Sequence, residues 1–381
     1  MFTKKKIMLI TERRADYSRF KPILTLIKKD KYLTYDLVVT GLHLLKTHGK
    51  TINEIKKDKF IIHKTIKNFS NKNLNMTGAE MTTALGITFL ELSNYVKKIK
   101  PDIILSGFDI GANFVLTVIG AHLNIPVVHI QGGEVTGSID ESLRHAMSKF
   151  SNYHLVANQD AKNRLIKMGE IKKDIFVVGC PSIDALNSEK NINFKKICKK
   201  FKINHKKKFI LLIQHPVTSE LQKAKDQILN TLEAINKNGI QTLVILPNND
   251  AGYFDIVKKI KQSKLQWTET LSLAEYKTLL KKCSVLVGNS SSGIHEAATY
   301  KVPVVNIGTR QNKRLKPKNV ISVKHSSKDI FKAINKALSS TYIKKISKIK
   351  NPYGDGNSAI KIIKILKKMD LKRNTQKTIT Y

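Results

Sequence analysis

The chain has 381 residues, enough for two domains or one large one and for a sizeable buried core. Its formal charge of +39 comes from 68 Lys+Arg against 29 Asp+Glu, which is typical of nucleic-acid-binding proteins, but only 8 of the 68 cations are arginine. Arginine is the residue expected at phosphate forks and base edges, and no RRM, KH or zinc-finger pattern occurs. We therefore predict no nucleic-acid partner and attribute the charge to a general preference for lysine.

The cysteines Cys180, Cys198 and Cys283 form no CxxC pair, so neither a disulfide framework nor a zinc site is indicated. The first apolar run, IMLI, is too short for a signal peptide, and no run reaches the ~18 apolar residues of a membrane span. No dinucleotide or metal-binding motif is present. We predict a soluble cytoplasmic protein with no membrane partner, no metal and no cofactor.

Short apolar runs of the buried-strand type recur in the first half of the chain, and amphipathic helical patterns separate them. The predicted strands are KIMLIT (6–11), YDLVVTG (35–41), FIIHKTI (60–66), DIILSG (102–107), PVVHIQG (126–132), YHLVAN (153–158) and IFVVG (175–179). Strands that alternate with helices predict an α/β fold with a parallel sheet covered on both faces.

A polar, lysine-rich segment at about 179–206 interrupts this alternation, which then restarts. The later predicted strands are FILLIQH (209–215), TLVILPN (242–248), SVLVGNS (284–290), VPVVNIG (302–308) and NVISV (319–323). We predict an N-terminal domain at 1–180, a C-terminal domain at 181–355, and a helix and tail at 356–381. This helix and tail should pack back on the N-terminal domain, and the polar end of the tail, LKRNTQKTITY, should fray.

Polar residues cluster where the predicted strands end, and doubly wound sheets bind their ligands at that edge. The clearest example is the stretch Pro126–Lys149, in which a Gly-Gly break follows a strand and precedes a helix. Glu134 and Asp140 lie in this corner, and Arg144 with His145 follows one turn into the helix. The pattern favours a site for a polar, anionic ligand, although a capped helix with solvated acids would look similar.

The stretch VLVGNSSSGIHEAA (285–298) is the clearest candidate phosphate site. Backbone N–H groups at a helix start, with the hydroxyls of Ser290 and Ser291, suit a diphosphate, and Glu296 could hold ribose hydroxyls. A plain serine-capped helix is the alternative. The stretch is neither a Walker loop nor a GxGxxG fingerprint.

Further candidates follow other predicted strands. His215 in QHPVT is either a structural histidine or a phosphate contact or proton shuttle. Asn248 in PNNDAG and Arg310 in GTRQNKR offer hydrogen-bond donors at turn-rich strand exits, and each signal is weak by itself.

These motifs, taken together, resemble one family. The matching segments are RADY (14–17), HIQGGEVTGSIDESLRH (129–145), GCPS (179–182), QHPVT (214–218), PNNDAG (247–252), GNSSSG (288–293), GTRQ (308–311) and YGDGN (353–357). In order and spacing they are similar to the hydrolysing UDP-N-acetylglucosamine 2-epimerases that open sialic-acid and related nonulosonic-acid pathways. The chain is less similar to the non-hydrolysing epimerases, because it lacks their GTRPE start, EAGLR segment and DSGG loop.

The resemblance implies two Rossmann-like domains of the glycosyltransferase-B type that face a cleft, with a UDP-sugar as substrate. It also implies that the C2 proton of UDP-GlcNAc is removed, UDP is eliminated to give a glycal, and water adds to release N-acetylmannosamine. The resemblance implies roles for residues at matching motif positions: Ser290, Ser291 and Glu296 at the nucleotide, Arg14 and His215 near the phosphates, and Asp109 and Asp140 as acid/base groups.

Two positions depart from the family pattern. Ile110 replaces the arginine of a GDR triplet, and Gln131 stands where a glutamate is frequent. A glutamine amide cannot act as a base, so Glu134 is the nearest substitute. The predicted catalytic residues are Asp109, Glu134, Asp140 and His215. The predicted UDP-sugar-binding residues are Arg14, His43, Gln131, Arg144, His145, Asn248, Ser290, Ser291, Glu296 and Arg310.

We therefore predict a hydrolysing 2-epimerase that acts on UDP-GlcNAc or a related UDP-2-acetamido sugar and forms a homo-oligomer, either a dimer or a tetramer. A non-hydrolysing epimerase and a nucleotide-sugar-binding protein that has lost catalysis are the alternatives.

Overall fold

The computed structural model describes residues 4–69, 78–136, 139–247, 252–371 and 375–380. The chain divides into two compact units. The first unit comprises Met1–Glu134, Ile139–Ala185 and Gly354–Tyr381, and the second comprises Val135–Ser138 and Leu186–Tyr353. The chain thus leaves the first unit after Ala185 and re-enters it at Gly354, a few residues from the predicted boundaries.

The first unit contains a seven-stranded sheet with the order β3-β2-β1-β4-β5-β6-β7. Its strands are β1 (Lys5–Thr11), β2 (Leu33–Thr40), β3 (Lys64–Ile66), β4 (Ile103–Gly107), β5 (Val127–Ile130), β6 (Tyr153–Val156) and β7 (Ile175–Val177). Every neighbouring pair is parallel.

The second unit contains a six-stranded parallel sheet with the order β10-β9-β8-β11-β12-β13. Its strands are β8 (Ile210–Ile213), β9 (Thr242–Ile245), β10 (Gln266–Thr268), β11 (Val285–Gly288), β12 (Val304–Ile307) and β13 (Val320–Val323). Counted within the unit, this order is 3-2-1-4-5-6, and the first six strands of the first unit follow the same order. Both sheets are doubly wound.

Helices connect the strands. They are α1 (Arg14–Lys29), α2 (Ile52–Lys57), α3 (Gly78–Ile99), α4 (Gly111–His122), α5 (Ile139–Phe150), α6 (Gln159–Lys167), α7 (Pro181–Ser188), α8 (Phe194–Lys200), α9 (Ala224–Asn238), α10 (Tyr253–Gln262), α11 (Leu273–Lys282), α12 (Ser292–His295), α13 (Ser327–Ala337), α14 (Ser340–Ile346) and α15 (Ser358–Lys368). Short 3₁₀ helices lie at Gly41–Leu44, Lys46–His48, Lys172–Asp174, Thr218–Lys223 and Ala297–Tyr300. Among the helices in the described ranges, none combines the length and apolar content needed to cross a bilayer.

Each sheet is buried on both faces because alternate strand residues point to opposite sides. In β1, Ile7 and Leu9 join the core cluster that includes α1 and α15, whereas Met8 and Ile10 join the cluster that includes α4. The same alternation divides β8 between two clusters. Helix α15 therefore packs within the first unit.

The run 60–66 and the end of the tail differ from their predictions. The run 60–66 forms a strand only at Lys64–Ile66, because the His63 ring already accepts a hydrogen bond from the Leu37 N–H. Residues 375–380 do not fray but pack on the first unit. The Lys377 ammonium donates to the Ser148 carbonyl and pairs with the buried Glu170 carboxylate.

Candidate active site

The strand order locates the candidate site in each unit. In the first sheet β1 lies between β2 and β4, and in the second β8 lies between β9 and β11. Chain connections leave in opposite directions at these points, so a crevice opens outside the carboxyl ends of the two central strands. A functional site is therefore expected at the exits of β1 and β4 in the first unit and at those of β8 and β11 in the second.

Backbone strain marks the exits of the first unit. Phe108 (φ 68°) and Asp109 (φ 52°) follow β4, and Gln131 (φ 60°) follows β5. Non-glycine residues in the left-handed region cost on the order of 1 kcal/mol or more each, and such residues cluster at active sites. The surrounding packing holds Phe108 in place, because its buried ring packs edge-to-face on Phe20 with the centroids 4.8 Å apart.

Arg144 connects the β4 and β5 exits. Its side chain is only 2% exposed. The guanidinium forms an ion pair with the Asp109 carboxylate and donates to the Glu134 carbonyl oxygen at 2.8 Å. A buried guanidinium is costly unless it is paired and hydrogen-bonded, so these contacts are needed for Arg144 to lie there. They in turn fix the Asp109 carboxylate and the backbone at Glu134.

The loop after β5 places Glu134 beside Gln131. The Gln131 amide nitrogen (Nε2) donates to the Glu134 carboxylate (Oε1) at 3.0 Å, and both side chains are buried. The turn between them requires glycine. A Cβ atom on Gly132 would lie 2.8 Å from the His129 ring, and one on Gly133, where φ is 75°, would lie 2.5 Å from the Ala161 carbonyl oxygen. The two glycines let the Glu134 carboxylate turn back to the strand exit.

Asn289 links the strand exits of the second unit. Its side-chain oxygen accepts from the His215 N–H at 2.7 Å, and its amide nitrogen donates to the His215 carbonyl at 2.8 Å. Its own carbonyl oxygen accepts from Arg310 at 3.3 Å and from Gln311 at 3.1 Å. Gly288 permits this close approach, since a Cβ atom there would lie 2.0 Å from the Ile213 carbonyl oxygen. The exits of β8, β11 and β12 therefore meet at one asparagine, which the sequence analysis did not select.

The segment after Asn289 carries the predicted nucleotide contacts. Ser290 and Ser291 are half-buried, and the Ser290 hydroxyl accepts from the Ser292 N–H at 3.4 Å. The predicted helix is only one turn long (Ser292–His295), and after Glu296 the chain continues as the 3₁₀ helix Ala297–Tyr300. Glu296 therefore directly follows the short helix. There its charge adds to burial in raising the pKa of the Tyr276 hydroxyl well above the usual range.

The profile of the UDP-N-acetylglucosamine 2-epimerase family matches residues 25–367 of this chain. The chain belongs to this family. It is 34% identical to the UDP-N,N'-diacetylbacillosamine 2-epimerase (hydrolyzing) of Legionella pneumophila, over 96% of this chain and 97% of that protein. It is also 34% identical to a UDP-N-acetylglucosamine 2-epimerase of Neisseria meningitidis serogroup B, over 88% of each chain.

The fold is likewise that of the family. A crystal structure of UDP-GlcNAc 2-epimerase from Neisseria meningitidis bound to UDP-GlcNAc superposes with a TM-score of 0.82 at 20% identity, and the match covers 95% of this chain and 99% of that one. The predicted family and the predicted two-domain α/β fold are therefore confirmed.

Several predicted residues of this epimerase-family chain lie near the first-unit exits. Asp140 is half-buried in the first turn of α5. His145, one turn further, lies 3.8 Å from the Glu141 carboxylate, and burial lowers the pKa of its ring below the usual value. Arg14 begins α1 and lies 3.6 Å from Glu54. Their roles toward a UDP-sugar stay predictions.

His43, which was predicted as a UDP-sugar contact, forms hydrogen-bonding contacts within the protein. It is fully buried, and its ring nitrogens lie 3.0 Å from the Thr11 hydroxyl and 2.7 Å from the Thr51 hydroxyl. Burial lowers the pKa of His43 to about 3. The ring is therefore neutral, and both nitrogens already contact the protein. Its geometry indicates that it supports the end of β1.

His215 shares this neutral character. It is buried, and burial lowers the pKa of the imidazole well below its usual value, with a further contribution from Arg310. A neutral imidazole can donate or accept one hydrogen bond, but it adds no positive charge at a phosphate near neutral pH.

Glu12 is a further residue that the sequence analysis missed. It directly follows β1, and its carboxylate accepts from the Ala112 N–H at 2.9 Å and contacts Arg13 at 3.1 Å. Glu12 thus ties the β1 exit to the first turn of α4. The available signal was an acidic residue directly after a buried strand.

Two further predictions concern Asn248 and the absence of a metal ion. Asn248 lies outside the described residues. Within the residues that the structure does describe, no group of three or more His, Cys, Asp or Glu side chains could hold a metal ion.

Proposed function

We propose that this protein is a hydrolysing 2-epimerase of UDP-GlcNAc or a related UDP-2-acetamido sugar. The observation that carries the proposal is the buried group at the first-unit exits, where Arg144 holds Asp109 and the backbone of Glu134 while Gln131 contacts the Glu134 carboxylate. The two relatives at 34% identity are named for N,N'-diacetylbacillosamine and for N-acetylglucosamine, which supports a 2-acetamido sugar as the substrate.

In the proposed reaction Glu134 accepts the proton from C2 of the sugar. The electron pair of the C2–H bond forms the C1=C2 double bond of a glycal, and the bond from C1 to the UDP oxygen breaks. Water then adds, with oxygen bonding to C1 and a proton returning to C2 on the opposite face. Asp109 and Asp140 are the remaining acid/base candidates, and His215 is a neutral hydrogen-bonding group.

The same proposal assigns the nucleotide to the second unit. Ser290 and Ser291 would donate to the diphosphate, Glu296 would accept from the ribose hydroxyls, and Arg310 would lie near the phosphates. These roles follow the motif positions, and they fit an exit at which hydroxyl and amide groups surround Asn289.

Two further properties belong to the proposal. The cysteines are unpaired thiols in buried positions, which supports a reducing cytoplasmic location. We also propose a homo-oligomer, a dimer or a tetramer, whose mass light scattering after size-exclusion chromatography would give directly.

The decisive experiment incubates the purified protein with UDP-GlcNAc, and separately with UDP-N,N'-diacetylbacillosamine, in heavy water. We expect ³¹P and ¹H NMR to show free UDP and a free sugar that is inverted and deuterated at C2. UDP release with an unlabelled, unchanged C2 would overturn the elimination mechanism. A deuterated UDP-sugar without free UDP would indicate a non-hydrolysing epimerase, and binding without turnover would indicate a binding protein.

A further inference from the structure

The few arginines of this chain are concentrated at one loop. Only 8 of its 68 cationic residues are arginine, yet three of these contact the loop 131–134. Arg144 and Arg164 donate to backbone oxygens of the loop, those of Glu134 and Gly133. A planar guanidinium with several donors suits such fixed geometry better than the flexible ammonium of lysine does.

Arg19 differs from the other two because it contacts a side chain of the loop. From α1 its guanidinium nitrogen donates to the Gln131 amide oxygen (Oε1) at 3.3 Å. The guanidinium carbon also lies 5.2 Å from the centre of the Phe108 ring. Arg19 therefore connects the strained residue after β4 with the strained residue after β5.

The contact with Arg19 determines which way the Gln131 amide faces. Guanidinium has only donors, so the amide oxygen must face Arg19, and the amide nitrogen then faces the Glu134 carboxylate. The observed distance from that nitrogen to the carboxylate oxygen is 3.0 Å. A carboxylate at position 131 has no N–H group and could not make this second contact.

We propose that Arg19 is a positioning residue for catalysis: it orients the Gln131 amide, which holds the Glu134 carboxylate in one direction and stabilises its ionised form. This inference rests on the proposed function, in which Glu134 removes the C2 proton. It gives Gln131 a role that needs an amide rather than a carboxylate.

Other charged and titratable groups surround the same loop and must be considered in any test of pH dependence. They are Asp109 after β4, Arg144 on α5, Arg164 on α6 and the buried Cys180 thiol before α7. The Arg19 charge also lowers the pKa of the Cys180 thiol, but burial raises that pKa to about 11, so the thiol stays protonated in the acid range with or without Arg19. Replacing Gln131 as well as Arg19 separates the effect of the contact from that of the Arg19 charge.

The test compares Arg19→Leu and Arg19→Lys with the parent and with Lys21→Met. Lys21 is a matched control because it is a cation on the same helix whose ammonium lies 3.0 Å from Asp58 instead of contacting the loop. We expect Arg19→Leu to lower kcat by roughly 10-fold while KM changes by less than about 2-fold, since a positioned base acts on the chemical step. Arg19→Lys should recover part of the loss, and Lys21→Met should match the parent.

The pH profile separates positioning from a purely structural effect. A hydrogen bond to the charged form lowers the pKa of a carboxyl group, so losing it should move the acid limb of the kcat profile to higher pH by about half a unit to one unit. Arg19→Leu combined with Gln131→Ala should lose no more activity than the stronger single variant. An unchanged acid limb, or losses that simply multiply, would overturn the inference.

A readout without turnover keeps the inference distinct from the proposed function. ¹³C NMR of the Glu134 carboxyl group should show a higher titration midpoint in Arg19→Leu than in the parent, at equal thermal stability by circular dichroism. If the parent turns over no UDP-sugar, the proposed function fails, but this titration still tests whether Arg19 acts on Glu134 through Gln131. If the parent is active but the titration midpoint of Glu134 is the same in Arg19→Leu, the inference that Arg19 positions Glu134 is overturned.

Discussion

The two units share one strand order but differ in the chemistry at their strand exits. In the first unit, charged groups meet at the exits of β1, β4 and β5: Glu12, Asp109, Glu134 and Arg144. In the second, neutral groups meet at Asn289, which contacts the His215 backbone and Gln311. The positive charge there is Arg310. The same topology thus places ionisable groups at the exits of one unit and mainly neutral hydrogen-bonding groups at the exits of the other, and the proposed function assigns them to proton transfer and to the nucleotide.

Backbone strain also differs between the strand exits of the two units. The strained non-glycine residues after β4 and β5 belong to the first unit, whereas the tight approach in the second is made by Gly288, which accepts its φ of 125° without a side-chain clash. Backbone strain of this kind clusters at active sites, so it supports the proposal that the first unit holds the reacting groups.

The largest expected effect is on the proposed base. Glu134→Gln keeps the shape of the side chain but removes its ability to accept a proton, so turnover should fall by roughly 10²-fold or more. UDP affinity, measured by calorimetry, should be nearly unchanged, since the nucleotide contacts are assigned to the second unit. Asp109→Asn is the comparison variant. If Glu134→Gln stays fully active while Asp109→Asn is inactive, Asp109 carries the proton chemistry instead.

Substitution of the proposed nucleotide contacts in the second unit should weaken UDP binding. Replacing Ser290 and Ser291 together by alanine removes two hydroxyl donors at the proposed diphosphate site. We expect UDP binding to weaken by about 1–3 kcal/mol, the usual contribution of charge-assisted hydrogen bonds. Titration calorimetry with UDP measures this directly, and Ser142→Ala on α5 provides a serine control in the first unit. Unchanged affinity would place the diphosphate elsewhere.

Lowering the pH should decrease the stability of the two units to different extents, because the units contain different buried histidines. Burial lowers the pKa of His43 and of His129 to about 3, and both lie in the first unit. Between pH 3 and about 6.5 the unfolded chain binds protons that the folded ring does not, so stability falls as pH decreases through that window. Well below pH 6.5 the expected loss is about 1.4 kcal/mol per pH unit for each histidine, and Asp16, whose pKa burial raises to about 6, offsets part of it.

Buried His215 adds the same trend to the second unit, where burial also lowers the pKa of its ring. Chemical unfolding at pH 7, 6 and 5, with hydrogen exchange to resolve the units, should show the first unit losing protection sooner. A His43→Asn variant should have a shallower dependence on pH if it folds. Stability that does not change between pH 7 and 5 would contradict the assignment of neutral buried rings.

Much of the fold was predictable, because buried parallel strands are continuous apolar runs and their exits carry the polar residues. β10 was missed because its three residues, Gln266–Thr268, are largely exposed at a sheet edge and give no apolar run. The contact that holds the end of the tail was not predictable, because it depends on Glu170, a buried carboxylate that is distant in sequence from Lys377.

The candidate site was predictable in its residue types but not in its contacts. The Gly-Gly break and the neighbouring acids indicated a site, yet no sequence pattern predicted that Phe108 and Asp109 adopt positive φ angles. The partners of Arg144 and Arg19 are similarly set by tertiary packing, since the residues they join are far apart along the chain. For the same reason the sequence could not show that the rings of His43 and His215 are buried.

The smallest expected effect is the most informative about position 131. Gln131→Glu would restore the glutamate that is frequent in the family, but the new carboxylate would face the Glu134 carboxylate at a contact that is now 3.0 Å. Two carboxylates that close share a proton, which raises the pKa of one of them. Arg19 would offset part of this repulsion, because its guanidinium already lies beside the position 131 side chain.

We therefore expect Gln131→Glu to fold and to lose less than about 10-fold in kcat near pH 8, with a larger loss near pH 6 where the shared proton occupies the base. The pH dependence of kcat is the measurement, and Gln131→Ala, which removes the amide without adding a charge, is the control. If Gln131→Glu is instead more active than the parent at pH 6, a carboxylate at position 131 can itself take the C2 proton. Gln131 of the natural chain would then mark the loss of a catalytic carboxylate, and its amide would not be needed to position Glu134.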